Sequence, residues 1–296
     1  LKHDPSRMRE RIAALPEQCL KGWEQGRGLS VPASYRDVDK VVFLGMGGSA
    51  MSGDLVAALA GLESSPPFYV QREYLPPGFT DARTLAIACS YSGETEETLQ
   101  AFQEAYRRKA KLIAITTGGT LGKLAKETRT PTLYLEPLGE PRSAVGMTLF
   151  ALLGILQGLK LFSSKDSDVE ESIASLEQGV ARLDTGVPAS QNLAKQLAVA
   201  LAGKVPVIYG AEALSGVARR WKTQLNENSK VWAFYELLPE LNHNAVVGYP
   251  LPAAAKDQLK VVFLASTLYH PRTDLRIRKT QDLLSQEGIP WEQVAG

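Results

Sequence analysis

Short apolar runs recur along the chain. Several end in Gly, Ser or Thr and give way to a segment with apolar residues at helical spacing. Residues 41–44 form the first, closed by Gly45-Met46-Gly47-Gly48 ahead of an amphipathic stretch over 49–62. Residues 68–71 are a short strand candidate, and the buried run 84–88 ends at Ser90-Tyr91-Ser92-Gly93. The segment 94–108 then carries acids in its first turn and bases in its last, as a helix dipole favours. Runs at 112–115 and 132–135 predict two more strands, the former stopped by Thr117-Gly118-Gly119. Pro141 suits the first turn of a long apolar helix reaching 161. Strands alternating with helices predict βαβ units and a parallel sheet.

The polar break at 163–168 marks a linker, so domains are expected at 1–163 and 164–296. Helical patterns follow at 169–183 and 190–201. The first half then recurs. Strand 205–209 is closed by Gly210 before a helix at 214–225, with a strand at 231–235. Strand 260–265, closed by Ser266-Thr267, precedes a helix at 273–284, and 289–294 reads as a last strand. Phe43-Leu44-Gly45 matches Ile208-Tyr209-Gly210, and 85–90 matches 262–266. The expected class is α/β. It comprises two doubly wound parallel-sheet halves, each a three-layer αβα sandwich with a crevice at the carboxyl ends of its strands.

A length of 296 residues leaves room for two cores. The formal charge of +1 gives no global field toward nucleic acid or an anionic membrane, so a phosphate must be caught locally. No apolar run approaches the length of a membrane span, and residues 1–10 are charged without a signal-peptide apolar region. Of two cysteines, Cys89 sits inside an apolar run as a core residue, which suits a reducing cytoplasm. Three histidines and two cysteines show no metal-ligand spacing, so no metal is expected. No cofactor is expected either.

Ser90-Tyr91-Ser92-Gly93-Glu94-Thr95 lies between a buried run and a helix start. Unpaired N–H groups and the positive end of the helix dipole favour an anion there. Ser90, Ser92 and Thr95 add three hydroxyls, and Gly93 allows close backbone approach. The plain alternative is helix capping by Ser92 or Thr95. Gly45-Met46-Gly47-Gly48-Ser49-Ala50 fits the dinucleotide fingerprint G-x-G-x-x-A. No clean acid closes the second strand, however, since Gln71-Arg72-Glu73 stands there. The favoured reading puts Gly47, Gly48 and Ser49 in a sugar-phosphate pocket shared with the Ser90 loop. A tight strand-to-helix turn and a dinucleotide site are the alternatives.

These two motifs together resemble the sugar isomerase (SIS) domain. Glu140-Pro141-Arg142-Ser143-Ala144, Asn226-Glu227-Asn228-Ser229-Lys230 and Leu238-Pro239-Glu240-Leu241-Asn242-His243-Asn244 narrow the resemblance. It is to the bifunctional phosphoglucose/phosphomannose isomerases, over about 35–276. The resemblance implies an aldose–ketose isomerase interconverting glucose 6-phosphate and mannose 6-phosphate with fructose 6-phosphate through an enediolate. That chemistry asks for a base, a cation and a group that opens the sugar ring. By resemblance Glu227, at the end of a helix with an apolar face, is the base. Arg142 is the enediolate stabiliser; placed at a helix start against the dipole, it calls for an anionic partner. His243, in a non-periodic loop, opens the ring and reaches the adjacent subunit's site, which implies a homodimer. On their own residues these three would read as a solvated acid, a surface arginine and a structural histidine.

Members of that family usually continue into a helix that supplies a lysine and a hydroxyl to the site. This sequence is expected to be a shortened member, or one without that lid. In the second half, 266–271 holds hydroxyls without a glycine, so one phosphate site per chain is expected. A non-catalytic SIS-domain sugar-phosphate sensor is the competing expectation.

Overall fold

The computed structural model describes residues 4–63, 66–163 and 165–295. Ser164, within the expected linker, lies outside the described residues. The chain divides into two units, Leu1–Ala181 and Arg182–Gly296.

The first unit opens with α1 (Met8–Ala13) and α2 (Leu15–Gly28). There follow β1 (Lys40–Gly45), α3 (Gly47–Ala60), β2 (Phe68–Gln71), β3 (Thr84–Cys89) and α4 (Glu96–Arg107). β4 (Lys111–Thr116), α5 (Gly119–Glu127), β5 (Thr132–Tyr134), α6 (Val145–Gly158) and α7 (Asp166–Leu183) complete it. The strands form one parallel sheet in the order β2-β1-β3-β4-β5. All six residues of β3 are buried, as a parallel strand covered on both faces requires. Side chains alternate between the two faces. Phe43, Leu85, Ile87 and Ile113 pack with residues of α2, α3 and α6. Leu44, Ala86, Ala88 and Ala114 pack with α4 and α5 through Phe102, Ala105 and Leu121.

α2 is the element the periodicity misses. Gly22 and Gly26 look like helix breakers, yet they are its contact surface. A Cβ on Gly22 would overlap the Met147 carbonyl oxygen, and one on Gly26 that of Ala151. α6 returns the contact with Gly154, whose Cβ would stand 2.8 Å from the Trp23 carbonyl oxygen. Small residues on both helices therefore let the backbones touch.

The expected boundary after 163 lies earlier than the observed division. α7 stays with the first core because Val169 is buried in it and Ile173 and Leu176 pack against it. The helix expected from Pro141 begins instead as a 3-10 turn, Pro141–Ser143, with α6 following from Val145. That places Arg142 in the turn and outside the helix.

The second unit holds α8 (Leu193–Leu201), β6 (Val205–Ala211), α9 (Ser215–Glu227) and β7 (Phe234–Leu238), then α10 (Ala253–Lys256), β8 (Leu259–Ala265), α11 (Pro271–Gln286) and β9 (Trp291–Ala295). Its parallel sheet runs β7-β6-β8-β9. Ile208, Val262 and Leu264 pack with Ala218, Val217 and Trp221 of α9. Phe263 and Val261 on the other face pack with Ile277 and Leu284 of α11. The strand expected at 231–235 begins three residues later, at Phe234. Val231 is still tied to the helix before it, since its N–H bonds the Leu225 carbonyl and its own carbonyl accepts from Asn226 Nδ2 at 2.8 Å.

Gly→Ala inside a helix ordinarily stabilises by about 1 kcal/mol. Gly26→Ala should instead destabilise by about 1–3 kcal/mol, because the added methyl has no space between α2 and α6. Urea unfolding of the variant measures the sign; a stabilised protein would mean the two backbones do not touch.

Candidate functional site

In the first unit β1 and β3 are neighbours, with Gly45 beside Cys89. From β1 the chain crosses to β2 on one side, and β3 begins the other side, so their carboxyl ends form the topological switch point of the sheet. α3 and α4 both start there. Neither Met46 before α3 nor Thr95 before α4 makes a side-chain capping bond, so neither helix start is capped by its own N-cap side chain. The plain capping alternative for Thr95 is thereby set aside.

Ser49 and the Ser90 loop meet directly. Ser49 is buried, and its Oγ accepts the Tyr91 N–H at 3.2 Å. Beneath it Cys89 is fully buried, and burial pushes its thiol up to about 12, against a smaller lowering by the Ser49 hydroxyl. Ser90 shapes the loop from inside. Its hydroxyl donates to Thr95 Oγ1 at 2.9 Å and accepts from the Gly93 N–H at 3.1 Å. That hydroxyl is engaged within the loop; Thr95 Oγ1 accepts from it and keeps its own O–H to donate, and Thr95 is half-buried. Ser92 is exposed, and its Oγ accepts the Glu94 N–H at 3.2 Å.

Gly47 turns the chain with φ +50. Gly48 lies against the next segment in: a Cβ there would stand 3.2 Å from the Pro141 carbonyl and the Arg142 nitrogen. The Arg142 backbone is thus packed on the glycine loop. Its guanidinium, about one-fifth exposed, has the Glu140 carboxylate at 3.6 Å, and Glu140 also pairs with Arg11. An anionic partner for Arg142 was expected from its position. The first unit therefore brings the segments of Gly47, Gly48, Ser49, Ser90, Ser92, Thr95 and Arg142 together at the carboxyl ends of β1 and β3.

The loop after β4 closes the far wall. The Thr117 N–H and hydroxyl both donate to the Tyr91 carbonyl, at 3.0 and 2.7 Å, and the Leu121 N–H donates to the Gly93 carbonyl at 2.9 Å. Glu94 reaches across to Thr120, accepting its N–H at 2.9 Å and its hydroxyl at 2.8 Å. Those two bonds hold the Glu94 carboxyl below its usual range. Sequence reading did not separate Glu94 from its motif, because its partner lies on another loop.

Glu227 and His243 belong to the second unit. Glu227 is the half-buried last residue of α9, and its carbonyl accepts from the Lys230 ammonium. Two turns earlier on the same helical face, Arg220 is buried. Burial lowers the Arg220 guanidinium to about 10, and the Glu227 charge opposes that shift. His243 is exposed at the end of the 3-10 turn Glu240–His243. Buried Leu241 anchors that turn, and Asn242 Nδ2 donates to Thr280 Oγ1 at 2.8 Å. At the second unit's own switch point, between β6 and β8, the Glu212 carboxylate accepts the His270 N–H at 3.1 and 3.2 Å at the start of α11. An internal anion thus sits where the first unit has an open helix start.

An apolar cavity of about 510 Å³ in the second unit, lined by Leu197, Trp221, Leu225 and Val294, contains none of the expected site residues. Among the described residues no three His, Cys, Asp or Glu side chains gather as a metal would need. Nor, among them, is any helix long and apolar enough to cross a membrane.

Residues 34–145 match the SIS domain family, and residues 190–296 match the bacterial phospho-glucose isomerase C-terminal SIS domain. The bifunctional phosphoglucose/phosphomannose isomerase of Caldicellulosiruptor bescii is 40% identical over 94% of this chain and 82% of its own length. The protein of the same name from Aquifex aeolicus is 33% identical over 84% of this chain and 74% of its own. Among solved structures, tagatose-6-phosphate ketose/aldose isomerase from Escherichia coli shares the fold with a TM-score of 0.69 at 18% identity, over 97% of this chain and 80% of that one.

Both cysteines are buried, and burial pushes both thiols to about 12. In the native protein at pH 8 neither should react with an aromatic disulfide reagent, and both should react once the chain is unfolded. A fast native reaction at Cys89 would show that the end of β3 is open to solvent.

Proposed function

The chain belongs to the bifunctional phosphoglucose/phosphomannose isomerase family, and we propose that it interconverts fructose 6-phosphate with glucose 6-phosphate and mannose 6-phosphate. The observation that carries this reading is the crevice at the β1/β3 switch point. What supports it there is two helix starts without N-cap side-chain bonds, the Ser92 and Thr95 hydroxyls beside them, and the Arg142 backbone against Gly48. A phosphate monoester suits it: helix N–H groups and hydroxyls donate to the phosphate oxygens, and no global positive charge is needed.

With the phosphate held there, Glu227 takes the proton from C1 of fructose 6-phosphate. The electron pair moves into the C1–C2 bond, and the C2 carbonyl oxygen becomes the enediolate oxygen. Arg142 steadies that charge. Return of the proton from Glu227 to C2, with transfer of the O1 proton to O2, gives the aldose. Glucose or mannose 6-phosphate results according to the face of C2 that is protonated. His243 exchanges the proton of the ring oxygen when the sugar opens. Its exposure at the end of a short turn suits a side chain that serves a second copy of the chain in a homodimer. Two buried thiols suit a reducing cytoplasm.

A coupled assay supplying fructose 6-phosphate and following each aldose separately tests the reaction. Glu227→Gln should lose at least about 100-fold in turnover while still binding the sugar phosphate. Unchanged turnover would remove Glu227 from the role. A wild-type chain that binds without turnover would be a sensor.

Mixing Glu227→Gln and His243→Ala proteins tests the shared site. Random subunit exchange should restore roughly a quarter of wild-type activity, because one site in each mixed dimer is complete. No recovery on mixing, with exchange shown by mass, would keep His243 within its own subunit.

A further inference from the structure

Glu94 poses a problem for any phosphate cradle, since it puts a carboxylate next to Gly93. We propose that Glu94 is a positioning residue: it locks the Ser92-Gly93 backbone into its anion-receiving conformation by clamping the loop after β4. This rests on the phosphate reading given above.

The geometry supports the role in three ways. First, the carboxylate points away from the cradle. Its two oxygens accept the Thr120 N–H and hydroxyl, so its charge satisfies the start of α5. The anion-favouring ends of α3 and α4 keep that character. Second, the loops it joins have no slack. Gly93 sits at φ +74, where a Cβ would overlap the Gly118 carbonyl oxygen. Gly119, at φ +65, has the Ser92 carbonyl oxygen 2.5 Å and Glu94 Oε1 2.7 Å from where its Cβ would be. Two glycines in the left-handed region stacked face to face hold that shape only while something ties them. Third, Glu94 makes that tie from the residue after Gly93. The Thr117 and Leu121 bonds fix the two ends of the same seam. Loss of the carboxylate removes the Thr120 bonds from this seam, and the Ser92 and Thr95 side chains on either side of Gly93-Glu94 then lose their fixed spacing.

A role in positioning the phosphate alone predicts a split in the kinetics. Glu94→Ala should raise KM for fructose 6-phosphate about 10-fold or more and change kcat less than about 3-fold, since the phosphate is gripped equally before and during reaction. Glu94→Gln keeps one acceptor and should raise KM by only about 3-fold. An unaltered KM in Glu94→Ala, or a fall in kcat at constant KM, would overturn the role. Should Glu94→Ala fail to fold by circular dichroism, Thr120→Val serves in its place. That substitution removes one of the two bonds and should raise KM about 3-fold, and an unchanged KM would again overturn the role. Calorimetry with glucose 6-phosphate on Ser92→Ala/Thr95→Val separates the two claims. Affinity lost there but kept in Glu94→Ala refutes only the clamp. Affinity kept in both places the phosphate elsewhere and refutes the cradle and the clamp together.

Discussion

The six residues of β3 are buried on both faces of a parallel sheet, so the strand has no side along which to carry a polar group that must meet a ligand. Whatever chemistry it supports has to begin where its ladder stops, after Cys89. The same holds for β1, whose last five residues are buried and which stops level with it at Gly45. Two strands ending side by side, with the chain leaving in different directions, create a gap that no side chain of the sheet fills. The Ser49-to-Tyr91 hydrogen bond spans that gap, and the glycine loop brings the Arg142 segment to its rim.

The two units answer the same topology differently. Each places its switch point between the first strand and the next one in the sheet. In the first unit the residue that crosses is a neutral hydroxyl, Ser49. In the second it is the Glu212 carboxylate, which already supplies the negative charge that the start of α11 favours. A hydroxyl leaves a helix end receptive to an anion, whereas a carboxylate closes it. The expectation of one phosphate site per chain rests on a missing glycine; the Glu212 carboxylate at the start of α11 is a second feature that argues against an anion there.

Strands with continuous apolar runs could be read from sequence because burial on both faces leaves its mark on every residue. The 41–44 and 84–88 runs are of this kind, and the glycine and serine motifs after them mark the crevice. What escaped was information held by pairs. α2 was hidden because Gly22 and Gly26 carry meaning only opposite Met147 and Ala151. Glu94 and Glu212 were hidden because their partners, Thr120 and His270, lie on other loops. Ser90 read as a ligand from its place in the motif, but its hydroxyl turns inward to Thr95 and Gly93. The break at 163–168 read as a linker because it is polar. The apolar positions of α7 that bind it to the first core come only after that break.

The α2–α6 contact also bears on how the chain is made. α2 is synthesised first and α6 near the end of the first unit, yet each forms part of the cover over the same sheet face. Until α6 leaves the ribosome, a nascent chain carrying β1 to β5 displays Phe43, Ile87 and Ile113 with a gap in their cover. Contacts so distant in sequence form late, and the apolar surface they leave bare invites association with other chains. The early helix is thus a waiting partner, and the cover of the first unit is complete only when α6 and α7 have both left the ribosome.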